Sequence, residues 1–273
     1  MGLLRRSFRA RAGMSLLAIL VAAGVTEAQF GRRFNVRVAR PEDYDGAFHF
    51  CRVWFRSAMD GDGGNWSVDF PRADINLSIR LGELTKTSVS QTGDRQPNHL
   101  LIRLTDDTLF QCPFVMMTEV GALYLDEREA ARLREYLLKG GFLWADDFWG
   151  SYAWTVWASQ IRKVFPAADY PMIDLPPDHP LYRTQFVVEK TPQIPNIGHW
   201  LGTGNTSERG ADSAEVHTRA ILDRDGRVMV LITHNTDLGD SWEREGDDPS
   251  YFYAFAANGY AFGIDVVLYA LTH

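Results

Sequence analysis

Short apolar runs alternate with amphipathic segments of helical length in the middle of the chain, and this alternation constrains the fold more than any other feature. Residues 113–117 (PFVMM) form one apolar run, and residues 126–141 (DEREAARLREYLLKGG) then carry apolar side chains at helical spacing. Asp126 and Glu129 have the spacing of a capping box. A second apolar run (FLWA, residues 142–145) and a second helical pattern (residues 152–165) follow. Strands that alternate with such helices predict a mostly parallel sheet with helices on both faces.

The flanking segments extend this pattern. Residues 48–55 (FHFCRVWF) are typical of a buried strand, and residues 74–84 (DINLSIRLGEL) of the helix that follows it. Two alternating runs around Asp225 and Gly226 predict a hairpin. Asp248 and Pro249 mark the start of a C-terminal helix, which we expect to be buried against the sheet rather than to span a membrane.

The whole sequence predicts one large α/β domain. Residues 166–212 are rich in proline and glycine and lack periodicity, so we interpret them as an ordered excursion over the sheet. The full chain has 45% hydrophobic residues, so a domain of residues 29–273 can bury a sizeable core. The expected architecture is a three-layer sandwich, with a mostly parallel sheet, helices on both faces and a C-terminal hairpin.

The first 28 residues have the order of features of a secretory signal peptide. Four arginines precede an apolar stretch (residues 14–25), and small residues follow it up to Ala28. We therefore expect cleavage after Ala28 and an exported protein, periplasmic or extracellular, with no stable membrane span after cleavage. The pattern leaves open whether export uses the general or the twin-arginine route, which Arg5 and Arg6 would suit.

The charge balance argues against one class of partner. The chain has 28 Lys and Arg residues against 35 Asp and Glu residues, for a formal charge of -7, and the basic leader hides part of the acidity. An acidic surface repels phosphate backbones, so we expect no nucleic-acid partner.

The two cysteines, Cys51 and Cys112, are too few for a disulfide framework. Both have apolar neighbours, so we expect two free, buried thiols that pack as small hydrophobic groups, with a single disulfide as the alternative. Neither cysteine has the flanking residues of a known nucleophile motif.

In a parallel α/β sheet, the loops that follow the carboxyl ends of the strands share one edge, and ligands bind there. The candidates for ligand binding at this edge are Trp66, Asp69, Thr118, Glu119, Asp146, Asp147, Asn235, Asp240 and Trp242. The candidates for catalysis are Asp146, Asp147, His234 and Asp237. Carboxylates and an imidazole can transfer protons or hold a hard cation, so the group predicts a site for polar chemistry.

Each of these residues also has a structural interpretation. Asp146 and Asp147 are equally suited to capping the helix that follows them. A lone histidine such as His234 is more often structural than catalytic. Thr118 and Glu119 are typical of a turn.

Four of the eight tryptophans lie near the predicted edge: Trp66, Trp149, Trp154 and Trp242. Aromatic rings beside carboxylates suit a sugar, whose C–H face can stack on a ring while its hydroxyls donate hydrogen bonds, but the same rings could simply fill the core. The sequence contains no Gly-rich phosphate loop, no G-x-S-x-G, no H-E-x-x-H and no paired C-x-x-C. The sequence therefore gives no support for nucleotide transfer, for a serine hydrolase of the G-x-S-x-G type or for a structural zinc site.

Several segments resemble a bacterial family known as domain of unknown function 4159. They are WSVDFPRADINLSIRLGELT, FVMMTEVGALYLDEREAARLREYLLKGGFLWADDFWGSYAW, LPPDHPLY, HNTDLGDSWE and GIDVVLYALTH. That family is similar to the class I glutamine amidotransferase-like fold, a flavodoxin-like three-layer sandwich. Active members of that fold pair a cysteine at a strand-to-helix elbow with a later histidine. Here the elbow-like segment carries Asp146 and Asp147 in place of a cysteine, and His234 resembles the later histidine, so the resemblance implies the fold without glutamine hydrolysis.

These features predict an exported, envelope-associated domain that binds a polar ligand, such as a sugar-containing molecule, or an envelope protein, without catalysis and without a required cofactor. The alternative is a hydrolase in which Asp146 or Asp147, with His234 and Asp237, activates water directly or through a divalent cation. A third interpretation is a subunit of a larger envelope complex, which a broad exposed apolar patch would favour. The sequence leaves the ligand, the metal content and the oligomeric state open.

Overall fold

A seven-stranded sheet forms the centre of the protein in a computed structural model, which describes residues 37–273. The predicted signal peptide lies outside the described residues. The strands are β1 (Phe50–Val53), β2 (Arg56–Ser57), β3 (His99–Ile102), β4 (Phe114–Thr118), β5 (Leu123–Tyr124), β6 (Phe142–Asp146), β7 (Met172–Asp174), β8 (His217–Leu222) and β9 (Val228–His234). The large sheet has the order β3-β1-β4-β6-β9-β8-β7, and β2 pairs with β5 in a small antiparallel sheet.

The large sheet is mostly parallel, as the sequence predicts. Strands β3, β1, β4, β6 and β9 are parallel neighbours, whereas β8 pairs antiparallel with β9, and β7 pairs antiparallel with β8. The predicted hairpin is confirmed as β8 and β9. Because Thr118 at the end of β4 pairs with Asp146 at the end of β6, the loops that follow these strands begin side by side.

Helices cover both faces of the sheet, so the predicted three-layer α/β architecture is confirmed. They are α1 (Arg72–Leu84), α2 (Glu127–Leu138), α3 (Gly150–Val164), α4 (Ile197–Thr203), α5 (Leu238–Glu243) and α6 (Pro249–Thr272). Along β6, Leu143 and Ala145 belong to the core under α2 and α3, and Phe142 and Trp144 belong to the core under α1, α5 and α6. Alternate side chains of one buried strand thus supply two cores, which explains the continuous apolar run in the sequence.

The predicted caps fix where two of these helices begin. Asp126 accepts a hydrogen bond from the Glu129 backbone N–H (2.8 Å), and the Glu129 carboxylate accepts one from the Asp126 backbone N–H (2.9 Å). At the start of α6, the Asp248 carboxylate accepts hydrogen bonds from the backbone N–H groups of Ser250 (2.8 Å) and Tyr251 (3.1 Å). Both N-terminal predictions are therefore confirmed.

Helix α6 is long and apolar enough to cross a membrane by length and composition, yet it packs against the sheet as the sequence predicts. Its side chains contribute to the core beneath Trp144, including a ring contact between Trp144 and Phe262 at 5.8 Å. The buried carboxylate of Asp265 accepts hydrogen bonds from the backbone N–H groups of Gln185 (2.8 Å) and Phe186 (2.9 Å). The polar residue within the helix thus anchors the proline- and glycine-rich excursion.

Two strands of the large sheet, β3 and β7, and both strands of the small sheet, β2 and β5, were not apparent in the sequence. Strand β3 is a four-residue strand, and β7 is a three-residue edge strand within the predicted excursion. Both are too short to show a clear alternation. The excursion also contains α4, so it is ordered, as expected.

The prediction of two free thiols was wrong, because Cys51 and Cys112 form a disulfide. Their burial was predicted correctly, since each is 1% exposed. Cys51 lies in β1 and Cys112 precedes β4, and these adjacent parallel strands bring the two Cα atoms to 6.3 Å. The sequence could not show this proximity, because it depends on which strands are neighbours.

Candidate functional site

The carboxyl edge of the sheet holds non-glycine residues in the left-handed region of backbone conformation. Glu119 follows β4 with φ 55°, Asp147 follows β6 with φ 57°, and Asn235 follows β9 with φ 65°. Asp69, in the loop before α1, has φ 61°. This conformation costs of order 1–3 kcal/mol per residue, so surrounding contacts must hold each one in place. Strain of this kind concentrates at ligand sites, which makes this edge the candidate site.

Three aspartates from three loops come together at this edge: Asp69, Asp147 and Asp237. One carboxylate oxygen of each lies within 4.8 Å of the others, and the residues are only 6%, 5% and 3% exposed. Asp147 accepts a hydrogen bond from the Trp149 indole N–H (3.2 Å), and Asp237 accepts one from the Asp240 backbone N–H (2.8 Å). Asp69 Oδ2 is buried and has no hydrogen-bond partner among the described residues. We call these three residues the aspartate trio.

Burial raises the pKa of each carboxyl in the aspartate trio well above its usual range. Neighbouring carboxylates raise these pKa values further: Asp240 acts most on Asp69, Glu119 on Asp147, and Asp147 on Asp237. In the part of the chain that the structure describes, no Lys or Arg forms an ion pair with any of the three. The trio is therefore a buried acidic group whose charge is not balanced by a paired cationic side chain.

A second acidic group shares Asp69 and is balanced differently. It consists of Asp69, Asp240 and Glu243, again with one oxygen of each within 4.8 Å of the others. The Arg244 guanidinium pairs with Asp240 (3.3 Å) and Glu243 (2.8 Å). Asp240 also accepts a hydrogen bond from the Ile197 backbone N–H at 2.6 Å. This group already has its counter-charge.

A fully buried arginine lies on β1 close to the same edge. Arg52 forms an ion pair with Asp74 of α1, and it donates hydrogen bonds to Thr118 Oγ1 (2.9 Å) and to the Val68 carbonyl (3.2 Å). Its charge lowers the pKa of Asp69 but does not offset the effect of burial. Thr118, predicted as a ligand residue, thus holds this arginine. Sequence reasoning missed Arg52, although an arginine in the middle of an apolar strand is itself a signal of a buried ion pair.

Asp146 has a structural role, but it is not the predicted one of capping the helix that follows it. Its Oδ1 accepts a hydrogen bond from Thr233 Oγ1 (2.5 Å), and its Oδ2 accepts one from the Leu238 backbone N–H (2.9 Å). The carboxylate therefore binds the first turn of α5 rather than that of α3, the helix that follows it. Burial raises the pKa of Asp146 to about 7.

The imidazole of His234 is packed among aromatic rings. Its ring centroid lies 4.7 Å from that of Phe148 and 5.3 Å from that of Trp154, and Nε2 is 3.0 Å from the Gly150 carbonyl oxygen. Because a carbonyl only accepts, this contact assigns the proton to Nε2. Burial lowers the pKa of His234 to about 4. Within residues 37–273, no hydrogen bond or ion pair joins this ring to an aspartate of the trio.

A family model described as a domain of unknown function (DUF4159) matches residues 50–271, which is most of the chain. The protein belongs to this family. Comparison with curated proteins gives no match. The family description carries no activity, so the geometry of the edge is the basis for assigning a function to this DUF4159 domain.

Glu119 lies next to the aspartate trio and is covered by the loop that contains Gly63 and Gly64. A side chain on Gly63 would overlap the Glu119 carboxylate, so this approach requires glycine there. Burial raises the pKa of Glu119 to about 7, with a hydrogen bond from Gly64 acting in the opposite direction. Trp66 and Asp69, which follow these glycines, were selected from the sequence but the glycines themselves were not, although a Gly-rich loop indicates close backbone approach.

The remaining predicted residues divide between core and edge. Trp242 is fully buried against Trp144, with ring centroids 5.6 Å apart, so it fills the core of the DUF4159 domain. Asn235 accepts a hydrogen bond from the Gly150 backbone N–H (2.8 Å) and donates one to a backbone carbonyl, which fixes the turn after β9. Trp66 is half-buried and lies 5.7 Å from the Trp54 ring, so it stays at the surface.

Proposed function

We propose that this domain is a non-catalytic binding module that takes a small polar ligand at the carboxyl edge of its sheet. One observation carries the proposal: the buried carboxyls of Asp69, Asp147 and Asp237 lie within 4.8 Å of one another, while the imidazole of His234 contacts a backbone carbonyl. Carboxyl groups can accept hydrogen bonds from ligand hydroxyl and amine groups. A general acid–base pair needs a hydrogen bond between its members or with the substrate, and no such bond joins this imidazole to the trio within residues 37–273.

A sugar-containing ligand suits this edge best among polar molecules. Trp66 is on the same loop as Asp69 and lies 5.7 Å from Trp54, which is 36% exposed, so a pair of aromatic rings at the surface adjoins the loop that carries Asp69. The C–H face of a sugar stacks on such rings, and its hydroxyls bind carboxylates. Anionic ligands are disfavoured, because the trio and Glu119 repel negative charge.

Export to the periplasm or the cell exterior is part of the proposal. The order of features in the first 28 residues supports it, and so does the disulfide between Cys51 and Cys112, because such bonds persist in oxidising compartments.

A relationship to the glutamine amidotransferase-like fold is also proposed. It is supported by the left-handed Asp147, which stands between β6 and α3 where that fold has its elbow residue. A carboxylate at this position cannot perform thiolate chemistry.

Saturation-transfer NMR on the purified protein with a panel of neutral sugars, amines and short peptides tests the binding function. We expect signals from neutral sugars that decrease in the Trp66→Ala variant. Trp200→Ala is the matched control, because Trp200 is also half-buried but packs against Phe255 with ring centroids 5.0 Å apart. Absence of binding across the panel, or equal binding by Trp66→Ala and wild type, contradicts the proposal.

One observation favours the hydrolase alternative. The charge of Glu119 acts on the nearby carboxyl of Asp147. Burial raises the pKa of Glu119 to about 7, which suits proton transfer near neutral pH. In that case Glu119→Gln would abolish turnover of a bound glycoside while the glycoside still binds. Product analysis by mass spectrometry after prolonged incubation with the sugars that bind separates the two functions.

A further inference from the structure

We propose that the aspartate trio, Asp69, Asp147 and Asp237, holds a hard divalent cation such as Ca²⁺ or Mg²⁺. The inference rests on the proposed binding function and names the first ligand of that site. Hard cations take carboxylate oxygens as ligands, and the oxygens within 4.8 Å of one another can be shared by one ion.

Asp69 provides an independent indication of a missing ligand. Its Oδ2 is buried without a hydrogen-bond partner, and the residue is 6% exposed. Buried polar atoms are almost always satisfied, and a carboxylate oxygen without a donor is costly. A cation between the three carboxylates would supply the missing partner.

The buried aspartates outside the trio differ from Asp69 in that each has an ion pair or at least two hydrogen bonds, although Asp265 Oδ2 is also without a partner. Asp74 pairs with Arg52, Asp146 binds Thr233 and a backbone N–H, and Asp265 binds two backbone N–H groups. The neighbouring group of Asp240 and Glu243 is paired with Arg244. Among the described residues, the trio alone combines three buried carboxyls with no ion pair to Lys or Arg.

The backbone brings the three residues to one place. Asp69 and Asp147 occupy left-handed conformations, and Asp237 is the N-cap of α5, so a defined backbone turn positions each aspartate. Gly239, in the first turn of α5, lies so close to Asp69 Oδ2 that a methyl group there would overlap it. All three residues are nearly inaccessible to solvent, so the space between their oxygens suits a small ion.

Calorimetric titration of the EDTA-treated, dialysed full-length protein with CaCl₂, MgCl₂ and MnCl₂ tests the site. We expect one ion per chain, and at least about tenfold weaker binding in Asp69→Asn and in Asp147→Asn, as is usual when a metal site loses a supporting group. Asp248→Asn is the matched control, because Asp248 caps α6 and belongs to neither acidic group, so this variant should bind as wild type. The asparagine variants should stay folded without metal, because each removes a buried charge, and circular dichroism verifies this.

Terbium emission provides a second readout in the same variants. Trp149 donates a hydrogen bond to Asp147 at 3.2 Å, so excitation of tryptophan should sensitise Tb³⁺ bound in the trio, and Asp69→Asn and Asp147→Asn should reduce this emission. Gly239→Ala should weaken this emission, whereas Gly246→Ala, with open space around its Cβ, should not.

The inference is overturned if none of the three cations binds at millimolar concentration, or if both asparagine variants bind as wild type. Sugar binding without any cation binding would refute this inference and leave the proposed function intact. Cation binding without any organic ligand would refute the proposed function and leave the cation site intact.

Discussion

The disulfide gives the most direct quantitative test of how the chain is stabilised. Cys51 and Cys112 are 61 residues apart, so their bond closes a long loop in the unfolded chain. The chain-entropy relation for a loop of this size predicts that the crosslink raises the free energy of unfolding by about 4 kcal/mol. Reduction removes the crosslink while both sulfur atoms stay in place, so it isolates this contribution from packing.

Urea denaturation followed by tryptophan fluorescence, with and without dithiothreitol, measures the effect. With a slope of about 2–3 kcal/mol per M, the loss of about 4 kcal/mol predicts a urea midpoint lower by roughly 1.3–2 M under reducing conditions. The control is the double variant Cys51→Ala, Cys112→Ala, whose midpoint should be low and insensitive to reductant. If wild type is equally insensitive and mass analysis finds two thiols, the crosslink is absent and the expectation from sequence alone was right.

Three further predictions concern single side chains. Asp126→Ala should lower stability by about 1 kcal/mol, because α2 loses its capping box, and thermal unfolding measures the change. Burial lowers the pKa of His234 to about 4 in the folded protein. The unfolded chain therefore binds a proton that the folded chain does not, and up to about 3 kcal/mol of stability should be lost as pH falls from about 6.5 to 4. Urea midpoints across this range should depend less on pH in the His234→Gln variant than in wild type. An unchanged pH dependence would show that His234 does not have a lowered pKa in the folded protein. Asp74→Ala leaves the Arg52 charge buried and should cost about 3–5 kcal/mol, whereas Arg52→Met with Asp74→Leu should recover most of that loss in chemical denaturation.

The architecture could be predicted because local signals and tertiary packing agree. The capping box at Asp126, the turn at Gly226 and the apolar run of β6 each specify one element, and parallel α/β topology leaves few ways to assemble them. The rule that loops meet at the carboxyl edge predicts from the sequence alone that Asp69, Asp147 and Asp237 lie at one edge, and the structure brings them together.

The roles within that group could not be predicted, because they depend on side-chain orientation. His234 and Asp147 both follow strands at the edge, yet one ring packs against Phe148 while the other side chain joins the aspartates. Trp242 lies in the core for the same reason, since α5 turns it towards the sheet. Pairings between distant residues, such as the disulfide and the contact of Arg52 with Asp74, depend on strand order, which local sequence does not encode.

Helix α6 affects how the chain is synthesised as well as how it is packed. Residues 249–272 leave the ribosome after every strand of the sheet, yet they cover the core around Trp144 and Phe142. Until they are made, that face of the nascent chain exposes aromatic surface, which is the kind of surface that aggregates or recruits chaperones. A chain truncated before Pro249 should therefore be recovered in inclusion bodies rather than as a smaller soluble domain.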